Sequence, residues 1–159
     1  MGKCRKTEVN VLIKHEIVFA CDNGERVLKT KYEDIIEKCK GLSQNFVVHL
    51  HGSEKSTTSV IGLTRIKKLL DACQKANINL CIENLYSTQE IPYIFKNLSH
   101  PKLKICFDTG HRNFLTPNFD LVSDFGKHIA VLHIHDNDGL SDLHMLPYSY
   151  TCNGGRDLN

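Results

Sequence analysis

Residues 103–111 read LKICFDTGH, an apolar run from Leu103 to Phe107 followed by Asp108, Gly110 and His111. The run has the length and composition of a strand. A carboxylate that ends such a run must meet a cation or strong hydrogen-bond donors to stay charged. Gly110 permits positive φ and a close backbone approach, so Asp108 and His111, three residues apart across a turn, suit two contributors to one metal site. The plainer alternative is an aspartate that caps the next turn beside a surface histidine.

The pattern recurs on both sides of this stretch. Val9 to Ile13, Phe46 to Leu50, Ile78 to Ile82 and Ile129 to Ile134 are further short apolar runs, near-continuous as in a parallel sheet covered on its outer face. Parallel pairing requires crossover helices, and the intervening segments supply them. Thr30 opens T-K-Y-E with Glu33 at the third position, and Tyr32, Ile35, Ile36 and Cys39 follow helical spacing up to Gly41. Leu63 to Ala76 places Leu63, Ile66, Leu70 and Cys73 on one face, with Asn77 as its stop. Ser87 opens S-T-Q-E ahead of Ile91, Ile94, Phe95 and Leu98, with Pro92 tolerated in the first turn, and a weaker helix is expected from Phe119 to Lys127. The order β-α-β-α-β-α-β-α-β in one domain fits an α/β barrel or an open doubly wound sheet.

Polar residues at the strand ends separate these two folds. His15, His51, Glu83, Asp108 and His133 stand at or near the C-terminal ends, with His111 just beyond the fourth run. A barrel gathers these ends into one ring, whereas an open sheet spreads them along a line. His49 and His51 alternate with Leu50 and share a side; His51, nearer the C-terminal end, is the expected contributor. His133 and His135 also share a face, and either could serve. The loop beyond adds Asp142 and His144. Its stretch from Asp136 to Gly139 lacks the D-x-D-x-D-G register and distant glutamate of a calcium loop, which excludes that reading.

Bulk composition is ordinary for a globule: 159 residues, 41% hydrophobic and 24% charged. A net charge of +2 gives no broad basic surface for nucleic acid, and pairs such as Lys67 and Lys68 read as solvated helix faces. The N-terminus has basic residues without an apolar core behind them, Lys6 breaks a myristoylation signal, and no apolar stretch is long enough for a membrane span; a cytoplasmic protein is expected. The 7 cysteines have no pair at CxxC spacing and read as reduced thiols, with Cys39 and Cys73 on helical stripes and Cys81 and Cys106 inside strands.

The strings VLIKHEIVFA, VVHLHGS, LCIENL, CFDTGH, VLHIHDNDG and DLHMLP, in that order between Val9 and Pro147, resemble the xylose isomerase-like barrels. That family includes sugar and sugar-phosphate isomerases and epimerases and the type IV apurinic endonucleases. The resemblance implies a (β/α)8 TIM barrel, here a single partial domain over residues 1–159. It implies a divalent metal ion (Mn, Zn, Co or Mg) held by Glu83, Asp108 and His133. It makes His111, Asp142 and His144 further metal ligands or substrate contacts, and His15 and His51 substrate contacts or additional metal ligands. Glu83 would also be catalytic, moving a proton.

The HIHDNDG string looks closer to the sugar-phosphate side of the family. The endonuclease side would carry a proline after the histidine matching His51, where this chain has Gly52. The implied activity is isomerisation or epimerisation of a small sugar or sugar phosphate through an enediolate. The alternatives are a type IV apurinic endonuclease and a catalytically inert fragment.

A full barrel has eight strands and about 250 residues. Five runs therefore lead us to expect a truncated barrel, lacking the strand before Val9 and the segment after Pro147 with its last-strand glutamate. Tyr148 and Tyr150 stand where a glycine-containing turn is common in the family. Two open sheet edges would make such a chain unstable alone, or drive assembly into a homo-oligomer or with another fragment.

Overall fold

A computed structural model describes residues 13–18, 25–51 and 57–149, with side chains described for 32–50 and 57–149. In chain order the elements are β1 (Ile13–Val18), α1 (Glu25–Lys38), β2 (Asn45–His51), α2 (Val60–Ala76), β3 (Asn79–Glu83), α3 (Glu90–Asn97), β4 (Leu103–Asp108), α4 (Thr109–Phe114), α5 (Leu121–Phe125), a 3-10 turn (Gly126–His128) and β5 (Ile129–His133). The strands are all parallel and lie side by side as β1-β2-β3-β4-β5. Right-handed crossovers that always step the same way keep their helices on one face. The strand order never reverses, so the doubly wound alternative is excluded.

Strand alternation divides the apolar runs between two faces. Toward the helices, Phe46 and Val48 of β2, Leu80 and Ile82 of β3, and Ile105 of β4 pack with Ile66, Leu70 and Ile94. Each such side chain contributes roughly 1.5–3 kcal/mol on burial. The opposite face carries a smaller cluster of Val47, Cys81 and Cys106, with Val131 against it. Four thiols, Cys39, Cys73, Cys81 and Cys106, are free and buried, as their apolar settings suggest. Burial pushes the thiols of Cys73 and Cys81 up to about 12.

The helix ends show where local sequence rules apply and where they fail. In α2, Ser59 accepts from the Gly62 N–H at 3.1 Å, and Asn77 stops the helix in the left-handed region at φ 59°. α1 begins at Glu25 rather than at Thr30, because Glu25 to Lys29 are themselves adequate helix formers and extend the helix past the internal T-K-Y-E pattern. α3 begins at Glu90; Ser87 accepts only from the Gln89 N–H, forming a local turn instead of capping the helix.

β1 runs from Ile13 to Val18, not Val9 to Ile13, and residues 9–12 lie outside the described residues. His15 therefore sits opposite Val48 inside the strand, while Val18 is level with His51 at the C-terminal end. The apolar residues Ile17 and Val18 resume after the polar Lys14 to Glu16, and a strand at the sheet edge tolerates that interruption. No described helix is long and apolar enough to cross a membrane.

Candidate metal centre

Four strands repeat one arrangement on the face away from the helices. Val47 precedes His49, Cys81 precedes Glu83, Cys106 precedes Asp108, and Val131 precedes His133, each pair two residues apart on the same side. The first members form a dry floor of small side chains. Burial pushes the Cys81 thiol up to about 12, which keeps it protonated and a poor ligand, so the chemistry belongs to the second members, at the C-terminal strand ends. Register brings these together: Glu83 pairs with Cys106 and Asp108 with His133.

The resulting cluster is buried and dense. Glu83 is 3% exposed and Asp108 0%. Glu83 Oε2 lies 3.0 Å from His49 Nε2, and Oε1 lies 3.3 Å from His133 Nδ1 and 3.6 Å from His111 Nδ1. Asp108 Oδ2 lies 2.6 Å from His133 Nδ1, and Oδ1 lies 3.0 Å from His135 Nε2. Asp142 reaches in from the exposed loop, 3.5 Å from His111 Nε2 and 3.6 Å from His135 Nε2. His144 lies 3.2 Å from Asp142 and stacks flat on His135, with centroids 4.1 Å apart.

Asparagine side chains hold the cluster in place. Asn84 accepts from the Asp108 N–H at 2.8 Å and donates to the Asp108 carbonyl at 3.0 Å, tying the end of β4 to that of β3. His111 Nδ1 lies 3.0 Å from the Asn84 carbonyl; a carbonyl only accepts, so Nδ1 carries the proton and Nε2 keeps its lone pair. Asn137 donates to the Gly110 carbonyl at 2.8 Å and accepts from Asn113 at 2.8 Å, which fastens the loop after β5 onto α4. That loop is closed by paired backbone bonds between Asp136 and Met145. Within it, the backbone N–H of Leu140 and then that of Ser141 draw the Asp138 carboxyl below its ordinary value.

The structure thus brings Glu83, Asp108, His133, His111 and Asp142 to one place, with His144 at its rim. Asp108 Oδ1 caps α4 through the His111 N–H at 2.8 Å while Oδ2 faces the cluster, and His111 is buried rather than on the surface as the plainer reading had it. His15 and His51 belong to β1 and β2, but their side chains lie outside the described residues. His49, set aside in favour of His51, contacts Glu83, since it lies one step beyond the Val48–Ile82 pair, as Glu83 does. Aligning β2 with β3 by their first residues, Asn45 and Asn79, would have found it. His133 and His135 both contact Asp108, where the sequence left a choice between them. Asn84 and Asn137 carried no signal in the sequence, because their partners are backbone groups of distant residues.

A divalent cation fits this donor set. Glu83, Asp108 and His133 offer ligand atoms all within 4.8 Å of one another. Asp108 Oδ2 is buried without an aligned hydrogen bond although His133 is close. Mixed carboxylate and imidazole donors suit zinc, manganese or cobalt.

A family model described as xylose isomerase-like TIM barrel matches residues 18–150. The fold is shared with a D-tagatose 3-epimerase-like protein at 23% identity and a TM-score of 0.70, over 87% of this chain and 60% of that one. A Thermus thermophilus protein soaked with ZnCl2 is 18% identical, TM-score 0.62, over 80% and 56% of the two chains. The 3-keto-D-glucoside 4-epimerase YcjR of E. coli is 17% identical, TM-score 0.59, over 74% and 54%. An uncharacterized Sinorhizobium fredii protein, y4fM, is 28% identical over 83 residues, 48% of this chain and 27% of that protein. The chain thus spans less than two thirds of the length of these relatives. With parallel strands in sequential order and the model match covering most of its length, the chain belongs to the xylose isomerase-like TIM barrel family.

Proposed function

We propose that the protein is a divalent-metal-dependent isomerase or epimerase of a small sugar or sugar phosphate. The observation that carries this reading is the convergence of two buried carboxylates, Glu83 and Asp108, with His133 at the C-terminal ends of three strands. Active sites of this fold lie at that end. The sugar epimerases among the proteins of shared fold support the substrate class.

A cation bound there supplies Lewis-acid polarisation of a carbonyl and its neighbouring hydroxyl. Glu83 is the carboxylate placed to take a proton from carbon and return it, with His49 and His133 fixing the direction of its oxygens. His111, Asp142 and His144 would hold cation or substrate oxygens on the loop side, with His15 and His51 as further contacts. Asp142 and His144 are the most exposed of the set, so substrate would meet them first. The dry floor of Val47, Cys81, Cys106 and Val131 excludes water from below. The proposal also includes a cytoplasmic location, supported by the free buried thiols.

One observation favours a second reading, metal-dependent cleavage at abasic sites in DNA. His49 and His111 crowd Glu83 beyond what a single cation needs. The test for both is metal analysis of the purified protein, followed by deuterium wash-in from D2O into a panel of ketoses and their phosphates, with an abasic duplex incubated in parallel. Exchange into a sugar supports the isomerase; incision of the duplex replaces it with the nuclease. Retained metal with neither activity identifies an inert fragment.

A further inference from the structure

Between α3 and β5 the helix layer is thin. α5 spans only Leu121–Phe125 and passes straight into the 3-10 turn Gly126–His128. A helix of that length cannot cover the flank of α3, and what lies there instead is a set of rings. Phe125 and His128 meet Phe95 of α3 with centroids 5.6 Å and 4.7 Å away and planes tilted by 56° and 55°. Tilted pairs of this kind fix one another's orientation. All three rings are only half-buried, and together they line a groove of about 760 Å3.

The groove lies at the opposite end of the sheet from the metal centre. Leu103, the first residue of β4, lines it, and His128 leads into β5 at Ile129, whereas Asp108 is the last residue of β4. The strand between them sets the two places roughly 17 Å apart. The proposed reaction therefore makes no use of the groove. Its volume is nevertheless that of a small-molecule site, about 300–1,000 Å3.

The lining has two kinds of chemistry. Burial, and then the ammonium groups of Lys127 and Lys104, push the His128 imidazole below its ordinary value, so the ring is neutral near neutral pH and offers an aromatic face. His100, in the turn before β4, accepts the Lys102 N–H at Nδ1 over 3.1 Å, so its proton is on Nε2 and that edge is a donor. Lys96 in the last turn of α3 and Lys127 in the 3-10 turn are exposed, and Asp124 is the one acid among the lining residues. Neutral rings beside two ammonium groups and an imidazole donor are complementary to a flat ligand that carries negative charge. Two ammonium groups against one carboxylate favour a phosphate monoester, with a charge of about −1.5 to −2, over a single carboxylate.

We propose that the groove between α3 and α5 is a binding site for a nucleoside monophosphate, with the base on the rings of Phe95, Phe125 and His128 and the phosphate among Lys96, Lys127 and His100. The site shares no residue with the candidate metal centre, so it stands apart from the reaction proposed there.

The experiment is calorimetric titration of the full chain with AMP at low ionic strength, beside adenosine and inorganic phosphate. AMP is expected to bind as a single equivalent, and each half of it at least about tenfold more weakly. Lys96→Ala and Lys127→Ala alter exposed side chains and should each weaken AMP by about tenfold while leaving adenosine unchanged. Phe95→Leu keeps the apolar volume but removes a ring, and should weaken AMP and adenosine alike by about fivefold. If Phe95→Leu does not fold by circular dichroism, the two lysine variants decide. Glu83→Ala should bind AMP as the wild type does. No binding at millimolar AMP, equal binding of AMP and either half, or unchanged affinity in the folded Lys96→Ala, Lys127→Ala double variant overturns the proposal. Loss of AMP binding in Glu83→Ala also overturns it, because the nucleotide then sits at the metal centre.

Discussion

In the proposed metal site, Glu83→Ala and Asp108→Ala would each remove an oxygen donor, and the remaining residues are fixed by β3 and β4. Either variant should lose bound metal while remaining folded, as read by metal analysis beside circular dichroism. Asn84→Ala acts on the same site from outside it. The change strands the buried N–H and carbonyl of Asp108, at a cost of about 1–3 kcal/mol, while the backbone carbonyl of Asn84 still holds the His111 ring. Metal affinity should fall by roughly 10–100-fold with Glu83 and Asp108 untouched, measured by competition with a chromophoric chelator. Glu83 and Asp108 were legible in the sequence because each ends an apolar run, and His133 was legible only as one of a pair with His135 on one face of the last run. That His49 rather than His51 meets Glu83, and that His133 and His135 both meet Asp108, was not legible, because alternation says which residues share a face and leaves open how high each stands on its strand.

At the scale of elements, the two ends of α2 were readable and those of α1 were not. Asn77 is one residue past a run of helical spacing, and its left-handed φ of 59° satisfies the carbonyls of Cys73 and Gln74. Asn77→Gly should keep or raise the melting temperature, whereas Asn77→Ala should cost about 1 kcal/mol, since alanine pays for the left-handed backbone without compensation. The T-K-Y-E of α1 failed as a start signal because nothing between Glu25 and Lys29 breaks a helix. Strands follow a similar logic. The runs from Phe46 onward gave their strands within a residue or so, but β1 mixes Lys14, His15 and Glu16 into its centre, so its apolar content misplaced it. Two buried thiols, one on α2 and one on β3, give a pH signature. Cys73 and Cys81 have folded values near 12, raised by burial from 9.0. The unfolded chain therefore releases protons first. Stability from these thiols is complete below about pH 9 and declines as pH rises toward 12, so the urea midpoint should fall across that window. Cys73→Ala and Cys81→Ala together should flatten the decline.

For the whole molecule, the alternation of strands and helices named the sheet as parallel, and ligands at successive strand ends favoured a curved arrangement over a reversing one. The sequential order β1 to β5 agrees. What the sequence could not give was the depth of each donor, which depends on a register slip between Ile105 and Cys106 where β4 meets β5. That slip sets Asp108 level with His133 and so closes the cluster. Leu132 in β5 and Ile134 just beyond it stay 58% and 56% exposed, while the site-bearing face beside them is packed. Changing both to serine should shift stability by no more than about 0.5 kcal/mol in this chain, measured by urea unfolding.

Pairing each strand only with its sequence neighbour also has a consequence in time. No pairing has to wait for a loop longer than one crossover to close, so the sheet can grow strand by strand from the ribosome, at low entropic cost for each addition. The donors arrive in the same order, His49, then Glu83, then Asp108 and His111, and only with β5 and its loop do His133, His135 and Asp142 join them. A cation would therefore find these residues together only once β5 and its loop have joined the earlier strands, and its capture would act as a latch on strands already paired.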